Sequence, residues 1–250
     1  MAEQRQEGGE KIEQIVRIPT PAARNEKDPT VILEGNLTLP HNNNRNTTQG
    51  IVIFAHGSGS SRHSPRNQYV AQVLNNAGIA TLLIDLLTKE EEKIDDVTRE
   101  HRFNISLLAR RLLVSTDWVV QYPKIRNLNI GYFGASTGAA AALVAASERP
   151  NVISAIVSRG GRPDLAGQQV LNRIQAPTLL IVGENDKQVI HLNENALKQL
   201  SRLEKKKKIV IIPGATHLFE EPGTLEEVAR RASGWFECFF LEKRKDIGSH

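Results

Sequence analysis

One cysteine in 250 residues, Cys238, leaves the chain without an intrachain disulfide or a multi-cysteine metal cage. That usage fits a reducing compartment. No apolar run approaches the roughly eighteen residues needed to span a bilayer. Residues 1–11 are polar and charged, without the apolar stretch of a secretory signal. A cytoplasmic location with no membrane partner is the expectation. Net charge is also scarce, at +4, and aromatics make up 5% of the chain. Arg and Lys are scattered rather than interleaved with those aromatics, so nucleic acid is not expected as a partner. The densest basic run, 205–208, precedes an apolar strand and reads as a solvated loop rather than a phosphate patch.

What is present suits one large α/β domain: 40% hydrophobic and 24% charged residues, ample for a core. Residues 1–10 read as a disordered tail, 11–242 as a single domain without internal repeats, and 243–250 as a polar tail. Residues 11–17 and 31–39 alternate apolar with polar and read as an antiparallel start to a sheet, joined by a turn-rich connection over 19–29. The Asn-rich stretch 41–49 reads as an exposed loop. From residue 50 onward strands alternate with helices. Apolar runs at 51–55, 80–84, 129–133, 152–157, 178–182 and 209–212 predict strands. Helices are expected at 65–77, 103–122, 139–146, 165–173, 193–203 and 225–241. This alternation implies a mostly parallel sheet with helices on both faces. Right-handed crossovers then gather the C-terminal strand ends, and any site, at one edge. Residues 86–102 are highly charged and read equally well as a lid-like loop or as a short solvated helix. Cys238, among Trp235, Phe236, Phe239 and Phe240, reads as a packing residue.

The most informative stretch is Gly134-Ala135-Ser136-Thr137-Gly138, with a buried strand before it and a small-residue helix after it. Strand, G-x-S-x-G, helix is the context of a nucleophile elbow. A serine lifted onto so sharp a turn has strained backbone angles, and the flanking glycines avoid collisions with neighbouring elements. The helix that follows points its free N–H groups at charge developing near Ser136. A serine hydroxyl is a poor nucleophile at neutral pH and requires a base, itself oriented by an acid. In this type of fold both follow downstream in the order Ser, acid, His. The strand at 178–182 leads into Gly183-Glu184-Asn185-Asp186, and that at 209–212 into Pro213-Gly214-Ala215-Thr216-His217. His217 is therefore the expected base, and Asp186 the expected acid, with Glu184 and Asp164 as rivals. Oxyanion donors are expected from the backbone N–H groups of Thr137 and Ser58, the latter in the loop His56-Gly57-Ser58-Gly59. His56 reads as a brace for that loop. Arg159 and Arg162 lie beyond a strand end where a substrate carboxylate would be held. Arg62, His63 and Arg66 add positive charge, and solvation or ion pairing competes with a binding role for all five.

With these stretches in place, the chain resembles the α/β-hydrolase superfamily, and within it the dienelactone hydrolase-like group. The likeness covers roughly residues 31–241. It rests on the loop 56–61, the elbow, Gly183 to Asp186 with Val189, and the run 214–219 around His217. The resemblance implies an eight-stranded sheet with its second strand antiparallel. It also implies a hydrolase of small esters or lactones that needs no metal and no organic cofactor. Dienelactone hydrolases proper use a cysteine nucleophile, whereas this elbow carries Ser136, which points to a more general serine hydrolase acting on an ester, thioester or lactone. The connection from 157 to 178 is too short for a full cap domain. A peptidase, an acyltransferase or a binding protein that has lost turnover are the competing readings, and a homodimer is left open.

Overall fold

The computed structural model describes residues 12–22, 30–40, 48, 50–204 and 206–247, with side chains to Glu242. The expected tail at 1–10, most of the loop 41–49 and residues 248–250 lie outside them. Eight strands form one sheet: β1 (Ile12–Pro21), β2 (Thr30–Leu39), β3 (Gly50–Ala55), β4 (Ala80–Ile84), β5 (Asn129–Ala135), β6 (Ile153–Arg159), β7 (Thr178–Gly183) and β8 (Lys207–Ile212). Their order is β1-β2-β4-β3-β5-β6-β7-β8. β2 pairs antiparallel with both neighbours, and every other pairing is parallel. The expected antiparallel second strand is therefore present.

The continuous apolar runs explain the interior strands. β3, β4, β6 and β7 are buried along their whole length, as parallel strands covered on both faces must be. One face packs against α3 (Ile105–Gln121) and α4 (Thr137–Glu148) through Ile53, Leu82, Leu112, Tyr132, Leu143 and Ile156. The other packs against α1 (Pro65–Asn76) and α7 (Thr224–Ile247) through Phe54, Leu74, Phe133, Val157, Phe236 and Phe240. Each such side chain contributes about 1.5–3 kcal/mol on burial. No helix among the described residues is long and apolar enough to cross a membrane.

Several elements differ from the sequence reading, each for a local reason. β1 continues through Pro19 to Pro21 because both prolines sit on the exposed face of an edge strand, where a missing N–H is tolerated. The 86–102 segment, for which a loop and a short helix are equal expectations, contains the short helix α2 (Lys89–Thr98). Thr88 and Glu91 close a capping box at its start, and acidic residues fill its first turn. The 165–173 helix is a 3-10 turn (Pro163–Ala166) and a short helix α5 (Gln168–Leu171), divided at Gly167 with φ 82°. α6 (Lys187–Gln199) begins directly after Asp186, six residues before the apolar stripe suggested. Half of the basic run is strand rather than loop: Lys206 lies in a bend, Lys205 is outside the described residues, and Lys207 and Lys208 open β8, an edge strand that lysines protect from further pairing. α7 runs on to Ile247, into the expected polar tail. Cys238 is exposed, because α7 turns Phe236 and Phe240 to the core and position 238 away from it.

Candidate active site

The C-terminal ends of the parallel strands carry the chemically interesting residues. At the end of β5, Ser136 has φ 50° and ψ −120°, a conformation an L-residue adopts at a cost of about 1–3 kcal/mol. Packing enforces it. A Cβ on Gly134 would lie 2.4 Å from Ala139 Cα, and one on Gly138 would lie 2.2 Å from the Ala55 carbonyl oxygen. Both motif glycines are thus required by backbone contact. β6 holds the turn in place: the Ser136 N–H donates to the Arg159 carbonyl (3.3 Å), and the Ser136 carbonyl accepts from the Arg162 N–H (3.1 Å).

The ends of β7 and β8 are joined as one unit. The N–H of Asn185 donates to the Ala215 carbonyl at 2.9 Å. Glu184 accepts from the Gly214 N–H, and the Asn185 side-chain amide donates to the Gly214 carbonyl, each at 2.8 Å. This brings Asp186 Oδ2 to 2.6 Å from His217 Nδ1. A carboxylate at that distance selects the tautomer whose Nδ1–H donates to it, leaving Nε2 free to take a proton. The rivals are engaged elsewhere, Glu184 with Gly214 and Asp164 with Arg162. The His217 side chain is 40% exposed and that of Asp186 15%. Gly160, next to the residue that anchors Ser136, faces the ring: a Cβ there would sit 3.4 Å from His217 Cε1. The 159–162 turn therefore touches both the elbow and the imidazole.

The loop after β3 approaches from the other side, where a Cβ on Gly57 would be 3.1 Å from Ser136 Cβ. The Ser60 N–H donates to the Gly57 carbonyl (3.2 Å), and Gly59 has φ 67°. Such a turn needs glycine at its third position and leaves the second residue's N–H, that of Ser58, unbonded within the turn. Thr137 opens α4, so its N–H has no preceding helical turn to bond. The loop is rigidly mounted. His56 Nδ1 meets the Gly57 carbonyl at 2.9 Å and its Nε2 accepts from the Leu86 N–H at 3.0 Å. The Arg62 N–H donates to Asp85, while its guanidinium pairs with Asp85 and Glu34 and donates to Asn36. Arg62 is thus a structural cation.

His56 accordingly supplies a pH prediction. Burial, above all, holds its imidazole below the usual 6.5, against smaller opposing effects of the Gly57 carbonyl and Asp85. As pH falls through 6.5, the unfolded imidazole takes up a proton that the folded one resists, so the unfolded state binds more protons and stability drops. Replacing His56 with Asn removes that contribution. Urea midpoints from about pH 8 down to about pH 5 should fall more steeply for the native chain than for H56N. Parallel profiles would show that His56 is not held neutral.

Of the two arginines considered for a substrate anion, Arg162 is engaged by Asp164 through two bonds of 2.9 and 2.7 Å. Arg159 is 8% exposed, and its Nη1 has no hydrogen-bond partner. Burial, with nearby Arg66 adding repulsion, lowers its pKa to about 10. Arg66 pairs with Glu220 at 3.2 Å. Beside the loop after β3 lies a cavity of about 280 Å³, lined by Gly57, Ser58, Leu86, Leu87, Leu108 and Glu92, among others. Burial raises the Glu92 carboxyl, and the negative charges of Asp85 and Asp96 add to the effect. The sequence reading missed Leu86, Leu108 and Glu92. They come from three separate segments, and none carries a motif.

Comparison with known proteins fits this geometry. Residues 33–240 match the model of the dienelactone hydrolase family. A crystal structure of dienelactone hydrolase from Anabaena variabilis is 56% identical, covers 92% of this chain and 98% of that one, and superposes with a TM-score of 0.81. An α/β serine hydrolase without lid from Xanthomonas campestris is 18% identical and shares the fold over 90% of this chain and 94% of its own, with a TM-score of 0.69. Two Mycobacterium tuberculosis proteins that carry the provisional name of phosphoribosyl transferase are 52% identical over 223 residues, 89% of this chain but 45% of theirs. The chain thus spans about half the length of these curated relatives. It belongs to the dienelactone hydrolase family and has the α/β-hydrolase fold.

Proposed function

We propose that the chain is a serine hydrolase of small carboxylic esters, thioesters or lactones, working through an acyl-enzyme. Ser136 Oγ attacks the carbonyl carbon while His217 Nε2 takes the hydroxyl proton. Asp186 keeps the imidazole oriented and stabilises its protonated form. The N–H groups of Ser58 and Thr137 receive the oxyanion. Collapse of the tetrahedral intermediate expels the alcohol or thiol, which leaves with the proton from His217. Water, deprotonated by the same imidazole, then releases the acid and restores Ser136. The carboxylate–imidazole bond of 2.6 Å, on the sheet edge that carries a serine at φ 50°, is the observation on which this reading rests.

The cavity beside Ser58 suits the substrate's acyl or leaving group, with Leu86, Leu87 and Leu108 as its apolar wall. Arg159, not Arg162, has an unpartnered N–H to offer a substrate carboxylate. The phosphoribosyl-transfer name of the mycobacterial relatives does not guide this reading, because the match spans 45% of those chains and the elbow, acid and histidine suit acyl chemistry. A fluorophosphonate probe tests the reading, since it phosphonylates a serine hydroxyl activated by its neighbours. Intact-mass and peptide analysis should find a single adduct on Ser136, and its formation should slow by at least about 100-fold in His217→Ala. An unlabelled Ser136, or labelling indifferent to that substitution, would sink the proposal.

A further inference from the structure

A further cavity lies away from the proposed nucleophile, between the end of β1 and α3. A pocket of about 420 Å³ there is lined by Thr20, Leu107, Arg110, Arg111, Asp117 and Arg149, among others, none of which belongs to the candidate active site. Arg111 is the unusual member, because its side chain is 1% exposed and it is the charged residue among the apolar and hydroxyl side chains that this helix buries. One nitrogen, Nη2, donates to Glu91 at 2.5 Å. The other two, Nε and Nη1, are buried and have no hydrogen-bond partner.

Leaving one buried donor unmet costs about 1–3 kcal/mol, and more when the group is charged. Here two such donors share one cation. The surroundings add positive charge rather than cancelling it. Arg110 makes no ion pair among the described residues and is near enough to oppose the charge on Arg111. Arg149 holds Asp117 through a half-exposed pair of 3.2 Å, the kind that contributes little. Burial chiefly, then Arg110, lowers the Arg111 guanidinium below the usual arginine range, and the pull of Glu91 offsets part of this. The lining therefore sets three arginines against one carboxylate, with Glu91 the only further acid on Arg111 among the described residues.

We infer that this pocket binds the oxyanion of a small molecule, a phosphate or carboxylate group, with Arg111 as its buried anchor and Arg110 and Arg149 closing on it from the rim. Guanidinium groups match both oxyanions in plane and in hydrogen-bond spacing. The proposal is independent of the reaction assigned to Ser136.

Thermal unfolding with inorganic phosphate or succinate, each against sodium chloride at equal ionic strength, provides the test. A bound anion should raise the midpoint saturably, by about 3 to 5 °C at ten times its Kd. Phosphate alone acting would identify a phosphoryl ligand, and succinate acting as well or better a carboxylate one. The paired surface substitution R110Q/R149Q should abolish the shift while leaving p-nitrophenyl acetate turnover unchanged. R111M, of similar volume and without charge, should abolish it too; if R111M does not fold, the surface pair decides alone. The inference is overturned if neither anion exceeds chloride, or if the shift survives in R110Q/R149Q.

Discussion

Alanine at position 136 should lower the kcat for p-nitrophenyl acetate by about 10⁴- to 10⁶-fold while leaving the thermal midpoint nearly unchanged. The two halves of this result have separate causes. The hydroxyl is the proposed nucleophile, and removing it takes away the covalent route, so only the catalysis due to the oxyanion donors and to binding is left. Structurally the hydroxyl does little: although Ser136 precedes α4, its side chain caps no helix N–H. Alanine has the same Cβ, so it meets the same strain at φ 50° and the same packing against Gly57. A change of about 0.5 kcal/mol or less is expected, the usual size where no buried partner is lost. Turnover retained within tenfold in the folded variant would remove Ser136 from the mechanism. Lost turnover with a midpoint several degrees lower would instead mean that the hydroxyl braces the elbow.

The elbow was legible in the sequence because its constraints are local. Gly134 and Gly138 are dictated by backbone atoms a few residues away or on the adjacent strand, and an apolar run followed by a small-residue helix admits few other arrangements. The interior strands were legible for the same reason, as burial on both faces leaves uninterrupted apolar runs. Asp186 and His217 could be placed at strand ends and Asp186 preferred there, but the cross-strand stitching that occupies its rival Glu184 with Gly214 is a bond that spacing does not encode. What the sequence left open or unread has reasons that the apolar pattern does not carry. α2 stood level between loop and short helix, because it lacks a strong apolar stripe and its main local signal is the capping box of Thr88 and Glu91. Arg111 sits in an amphipathic pattern where arginine normally faces water; its partner Glu91 lies twenty residues earlier on another helix. For Arg62 the sequence favoured solvation or ion pairing over a binding role without naming the partners, and these, Asp85 just past β4 and Glu34 in β2, are distant in sequence.

That stitching makes the second large prediction a sharp one. Asn at position 186 is nearly isosteric with Asp and should leave the fold intact, since Asp186 precedes α6 without a side-chain cap bond. What changes is the direction of the bond to His217. A carboxylate only accepts, so it holds the proton on Nδ1 and stabilises the imidazolium formed when Ser136 loses its hydrogen. An amide can turn its NH₂ toward Nδ1, which moves the proton to Nε2, where the base must be free; in either orientation it brings no charge to the imidazolium. The kcat should fall by about 10⁴-fold, with KM changing much less because the acid touches no substrate. Glu184→Gln is the matched control. Its carboxylate accepts from a backbone N–H on the histidine loop at an exposed position, where the glutamine amide oxygen can still accept, so the substitution should cost about 0.5 kcal/mol or less in stability and less than tenfold in kcat. If Glu184→Gln proved the more damaging to kcat, or if D186N retained a tenth of native turnover, Asp186 would not be the group that orients His217, and the 2.6 Å bond would serve only to hold the two loops together.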